Sequence, residues 1–161
     1  MENQNTIGTQ FKAMKILHAA LCIGVIVILA VMRYLVKQDT ASALQDNQVF
    51  QIAGAAIGFI GVLGSRFLFF NKTRVALNTP SLTEKINIYR AALIIQMALL
   101  EGGAIINSIF YFLTKNDLHF FIALGLLLFM IFGRPTRTMA SMLLFNNMED
   151  KQQIYDDSIA L

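Results

Sequence analysis

Four apolar blocks separated by short polar stretches dominate the chain: Ile16 to Val36, Val49 to Phe70, Ala91 to Leu113 and Leu118 to Phe132. A helix that crosses the hydrocarbon core needs about 20 mostly apolar residues at a rise of about 1.5 Å each. The first three blocks reach that length. The fourth, about 15 residues before Gly133-Arg134-Pro135, is short and must recruit flanking residues, thin the bilayer or sit shielded by its neighbours. The pattern predicts an all-α integral membrane protein with four transmembrane helices. The expected spans are about 16–36, 49–70, 88–113 and 118–133, in a single membrane domain over residues 1–161 with a cytoplasmic tail over 134–161.

The polar stretches carry their own local signals. Proline disfavours a helical residue before it, so Thr79 in Asn78-Thr79-Pro80 ends or interrupts a helix. Ser81-Leu82-Thr83-Glu84 matches a capping box, in which the serine oxygen and the glutamate side chain satisfy free backbone N–H groups. The third helix therefore starts near Leu82 and projects about two turns before entering lipid. Only Thr114 to Asp117 joins the third and fourth spans, so they form a tight antiparallel pair. After Pro135, Met139, Met142, Leu143 and Phe145 recur at helical spacing beside Arg137. That spacing fits an amphipathic C-terminal helix on the inner membrane surface, or a continuation of the fourth helix past a kink. Residues 1–10 read as loose, Lys37 to Gln48 as a short outer loop holding Asp39 and Asp46, and the segment from Glu149 onward as an exposed, charged tail.

Composition agrees with the pattern. Hydrophobic residues make up 56% of the chain and charged residues 14%, against about 25% charged in ordinary soluble domains. The basic residues then orient the chain. With the N-terminus inside, Lys12, Lys15, Arg66, Lys72, Arg74, Lys85, Arg90, Arg134, Arg137 and Lys151 fall on the inner side, leaving Arg33, Lys37 and Lys115 outside. The positive-inside rule therefore predicts N-in and C-in. The net charge of +3 follows from this placement and calls for no nucleic-acid partner. The first block is longer than the usual apolar core of a signal peptide, about 7–15 residues, and lacks a small-residue cleavage site, so it reads as a retained span. The expected location is a bacterial inner (cytoplasmic) membrane, as a multi-pass protein. Tyr34, Tyr89 and Tyr111 fall at expected membrane boundaries, where amphipathic rings anchor. The single cysteine, Cys22, behaves as a small hydrophobe, and His18 and His119 have no second metal ligand at helical spacing.

Two features carry candidate function. In the second block Gly54, Gly58, Gly61 and Gly64 recur every three or four residues. Helices in lipid associate through close backbone approach, which small residues permit, so this face is a helix-packing surface. In the third block Glu101 interrupts an otherwise oily run, followed by Gly102 and Gly103 that leave the adjacent backbone bare for a second helix. A charged side chain at the bilayer centre costs about 2.5–3.5 kcal/mol on insertion scales, and such residues usually mark ion or proton paths. At about 100° per residue, Ile94, Met97, Ala98, Ile105 and Ser108 share its face and Asn107 lies about 120° away. Glu101 reads either as a reversible proton site or as a structural hydrogen-bonding residue. Arg66 is too far along its own span to be its direct counter-ion and reads as snorkelling to the inner surface.

The stretch Ile52-Ala-Gly-Ala-Ala-Ile-Gly-Phe-Ile-Gly-Val-Leu-Gly64 resembles the glycine-rich first helix of the rotary ATP synthase proteolipid, the c subunit. The stretch Ala92-Leu-Ile-Ile-Gln-Met-Ala-Leu-Leu-Glu-Gly-Gly-Ala104 is similar to that family's second helix, around its ion-carrying carboxylate. The resemblance covers about residues 50–113. It implies that Glu101 is an ion-binding carboxylate and that Gly102, with no hydroxyl, suits protons better than sodium. Asn78-Thr79-Pro80 stands where that family has Arg-Gln-Pro, and extra spans flank the hairpin on both sides.

Enzyme signatures are absent from the sequence. The Arg-x-x-x-Asn-x-x-Glu pattern of the four-span glutathione and eicosanoid membrane enzymes fails at Ile94 and Met97, counted from Arg90. The expectation is a non-enzymatic membrane protein with no cofactor and no metal. Its partners would be the lipid bilayer and either further copies in a homo-oligomer or the helices of other membrane proteins. Its function would be proton binding or conduction through Glu101, or else structural assembly of a membrane complex.

Overall fold

A computed structural model describes residues 6–39 and 48–161. Six helices follow one another among these residues: α1 (Ile7–Gln38), α2 (Gln48–Leu77), α3 (Leu82–Thr114), α4 (Asp117–Phe132), α5 (Arg137–Leu144) and α6 (Met148–Gln153). The described residues form no strand, only an isolated bridge between Thr6 and Ala160. α1, α2 and α3, of 32, 30 and 33 residues, are each long and apolar enough to cross a membrane. α4 has 16 residues, so the number of spans rises to four only if the bent pair α4 and α5 counts as one. An apolar run in lipid must pair every backbone N–H and C=O within itself, which a helix does. Asp46 and the rest of residues 40–47, within the expected outer loop, lie outside the described residues.

The helix ends form where polar side chains replace missing backbone partners. α2 stops at Leu77, ahead of Pro80. Ser81 Oγ then accepts from Glu84 N at 3.5 Å and opens α3 at Leu82. Asn116 accepts from Leu118 N at 2.9 Å to start α4, and Thr136 accepts from Met139 N at 3.2 Å to start α5. Between α3 and α4 the chain reverses over Lys115 and Asn116, with Lys115 at φ 57. Few side chains other than glycine and asparagine adopt that left-handed conformation readily.

Two compact units form. One holds the described residues of Met1–Ala19 together with Phe67–Gln96 and Arg134–Leu161; the other holds those of Ala20–Arg66 with Met97–Gly133. The core of the first gathers Ile7, Phe11, Phe69, Tyr89, Leu144 and Ile154. Here two expectations need correction. Residues 1–10 were expected to be loose, but α1 already begins at Ile7, because Ile7, Phe11 and Met14 recur at helical spacing and all three are buried. The C-terminal segment has most of its described side chains exposed, as expected, but it is tied down at several points and is not a free tail. Ile154 is fully buried, Ile7 N donates to Ile159 O at 3.1 Å, and Arg137 donates to Asp157. Two apolar side chains, Ile154 and Ile159, outweigh the charged residues around them. Nearby, the amide and hydroxyl of Ser158 donate to Asp156 and hold its carboxyl below the usual range.

The tyrosine anchors also need correction. Tyr34 is exposed, but Tyr89 and Tyr111 are 0% and 1% exposed. Tyr89 packs its ring against Phe11 and Phe69, and Tyr111 accepts a hydrogen bond from Arg33. Aromatic contacts have drawn both rings into the cores.

Candidate functional site

The second unit contains Glu101. Its core joins Cys22, Val25 and Leu29 of α1 to Met97, Leu100 and Ala104 of α3 and to Ala123, Leu126 and Met130 of α4. The side chains α3 buries here, Met97, Leu100, Ala104, Asn107 and Ser108, define one stripe, while Ala98 and Ile109 are exposed. Glu101 falls at the edge between the two and is half-buried. One side of its carboxyl faces α1: a Cβ built on Gly24 would lie 3.8 Å from Glu101 Oε1. The Cys22 thiol is within its electrostatic reach. On the other side, a Cβ on Gly102 would meet nothing within 4 Å. Among the described residues the Glu101 side chain makes no hydrogen bond or ion pair, and none joins it to Arg66.

α2 presents bare backbone to the same unit. A Cβ on Gly58 would meet Ile122 Cγ2 at 2.7 Å, and one on Gly61 would meet Leu126 Cδ2 and Leu99 O, both at 3.6 Å. Gly103 of α3 is approached by Leu126 Cδ1 at 3.2 Å and Ile57 O at 3.7 Å. At Gly64 the nearest atom belongs to Ile60 of its own helix, at 4.0 Å, and Ser65 is the buried residue there.

The Gly54 end of α2 meets a polar cluster that sequence reasoning did not assemble. Asn107 Nδ2 donates to Gly54 O at 3.2 Å and to Gly103 O at 3.0 Å, and Asn107 Oδ1 and His119 Nδ1 lie 3.4 Å apart. Asn107 and His119 are both fully buried, and the His119 ring stands edge-on to Phe110. A Cβ on Gly54 would fall 2.5 Å from His119 Nδ1 and 2.7 Å from Asn107 Oδ1. The available signal was the presence of Asn and His inside apolar runs, since polar residues at such depth face the bundle interior and pair with one another or with backbone carbonyls. A third group is ionic. Arg33 pairs with Asp117 at 2.6 Å and lies over the Tyr111 and Phe120 rings, while Lys115 pairs with Asp39 at 3.6 Å. The Arg33 pair is largely exposed, and such pairs contribute about 0–1 kcal/mol.

Among the described residues no group of three or more His, Cys, Asp or Glu side chains is placed to hold a metal ion. Fold and site together define a class: an all-α protein with three, or up to four, helices of membrane-crossing length and apolarity, carrying a half-buried carboxyl among them. No family model, no curated protein and no solved structure matches the chain.

Proposed function

We propose that this chain is a multi-pass protein of a cytoplasmic membrane, N-in and C-in with four spans, whose Glu101 binds and releases a proton as part of a homo-oligomer. The observation that carries this reading is the setting of Glu101: a half-buried carboxyl in an apolar helix, with no hydrogen bond or ion pair among the described residues. An unpaired charge buried in hydrocarbon is costly. A proton can return only when water or a polar partner reaches the group. The exposed side of α3 at Ala98 and Gly102 is where a second copy would bring one. The likeness of residues 50–113 to the rotary proteolipid hairpin supports the same role for Glu101.

The alternative is an assembly subunit without transport, in which Glu101 hydrogen-bonds to a partner helix. Proteoliposomes holding an internal pH dye and driven by a potassium diffusion potential separate the two. The wild-type protein is expected to take up protons, and Glu101→Gln is expected to fall to the rate of empty vesicles while keeping its oligomer size on gel filtration. Wild-type uptake in Glu101→Gln would remove Glu101 as the proton site, and wild-type uptake no faster than that of empty vesicles would leave assembly as the function.

A further inference from the structure

The second unit carries an apolar groove between α2 and α4, away from Glu101. It encloses about 500 Å³, is open along one side, and is lined by Ala55, Gly58, Val62, Ile122, Gly125 and Phe129 among others. The floor is low at Gly125, where an added Cβ would meet nothing within 4 Å. On α2 the lining residues recur at helical spacing. At about 100° per residue, Arg66 falls at the centre of the same stripe, four positions beyond Val62. Arg66 is half-buried, and among the described residues its guanidinium makes no hydrogen bond or ion pair.

We propose that this groove and Arg66 form a binding site for an anionic phospholipid, one acyl chain lying in the groove and the headgroup phosphate on the guanidinium. Length argues for lipid. From Ala55 to Arg66 the stripe rises about 16 Å at about 1.5 Å per residue, about half of the roughly 30 Å hydrocarbon core. That is about the length of one leaflet's acyl chain, and Arg66 lies four residues from the inner end of the expected span, from which its long side chain snorkels to the headgroups. Charge argues for an anionic lipid, since arginine pairs with phosphate through two parallel hydrogen bonds. The stripe on α2 ends in this cation, which a neutral transmembrane helix of a second copy would leave unmatched at the groove mouth. This inference rests on the membrane-spanning reading but not on a titrating Glu101.

The test is native mass spectrometry of the detergent-purified protein titrated with phosphatidylglycerol and with phosphatidylcholine of identical chains. The wild type is expected to prefer phosphatidylglycerol by about fivefold, the ratio given by about 1 kcal/mol per basic residue near an anionic headgroup. Arg66→Gln should abolish the preference, and Arg66→Lys should retain most of it. Gly125→Leu fills the open space above the groove floor and should reduce adducts of both lipids severalfold. Every variant is required to keep the wild-type helical circular dichroism. Glu101→Gln should bind lipid as the wild type does, which separates failure here from failure of the proton site. An undiminished preference in Arg66→Gln, or undiminished adducts in Gly125→Leu, would overturn the proposal. So would a dimer without lipid that Gly125→Leu dissociates, since a second copy would then own the groove.

Discussion

Gly54→Ala is expected to destabilise the protein by at least about 2 kcal/mol, whereas Gly102→Ala leaves the fold of the single chain unchanged or slightly more stable. The two substitutions are chemically identical and both fall inside helices, where replacing glycine by alanine normally gains about 0.5–1 kcal/mol. What separates them is the space above the backbone. At Gly102 the new methyl group enters open space. At Gly54 it lands 2.5 Å from His119 Nδ1 and 2.7 Å from Asn107 Oδ1, so α2 must retreat or both side chains must turn. Overpacking of this kind costs about 1–3 kcal/mol. Retreat would also stretch the 3.2 Å bond from Asn107 to Gly54 O, and a buried polar group left unpaired costs about 1–3 kcal/mol more. Thermal melts of the helical signal in detergent check the result. Equal midpoints for the two variants would mean that α2 does not dock through Gly54.

Ile154→Ala is expected to cost about 2–5 kcal/mol, the range for truncating a buried isoleucine to alanine, while Tyr155→Ala costs little. The two neighbours differ in burial, 0% against 51% exposed. Ile154 lies in one core with Ile7, Phe11 and Leu144, so the loss should loosen the start of α1 and the C-terminal segment together. Limited proteolysis is the sensitive readout, because the hydrogen bond from Ile7 N to Ile159 O ties both segments down. If cleavage near the C-terminus were as fast in the wild type as in Ile154→Ala, the segment would be the free tail that its charges suggest.

These two predictions mark the boundary of what the sequence makes legible. The start of α3 could be read because Pro80, Ser81 and Glu84 sit within five residues of each other and act on the local backbone. Glu101 could be read because a single charge in an apolar run is visible without any tertiary knowledge. Its position at the edge of the buried stripe could not, since that depends on which face of α3 meets α1 and α4. The Gly54, Asn107 and His119 cluster joins three helices, and nothing local to any one of them announces the other two. Ile7 and Ile159 meet from opposite ends of the chain, where hydrophobic periodicity is too short to count. Tyr89 and Tyr111 were misplaced for a related reason: an amphipathic ring suits an interface and a core equally well, and only their aromatic neighbours decide.

A proton on Glu101 is tested by the pH dependence of its reaction with dicyclohexylcarbodiimide in native membranes. The reagent partitions into lipid and attacks protonated carboxyls. Glu101 is expected to be labelled, with labelling that fades as the pH rises, and Glu101→Gln is expected to show none. A Glu101 that stays unlabelled at every pH in intact membranes would be sealed inside the bundle, and the proton-binding account would be wrong.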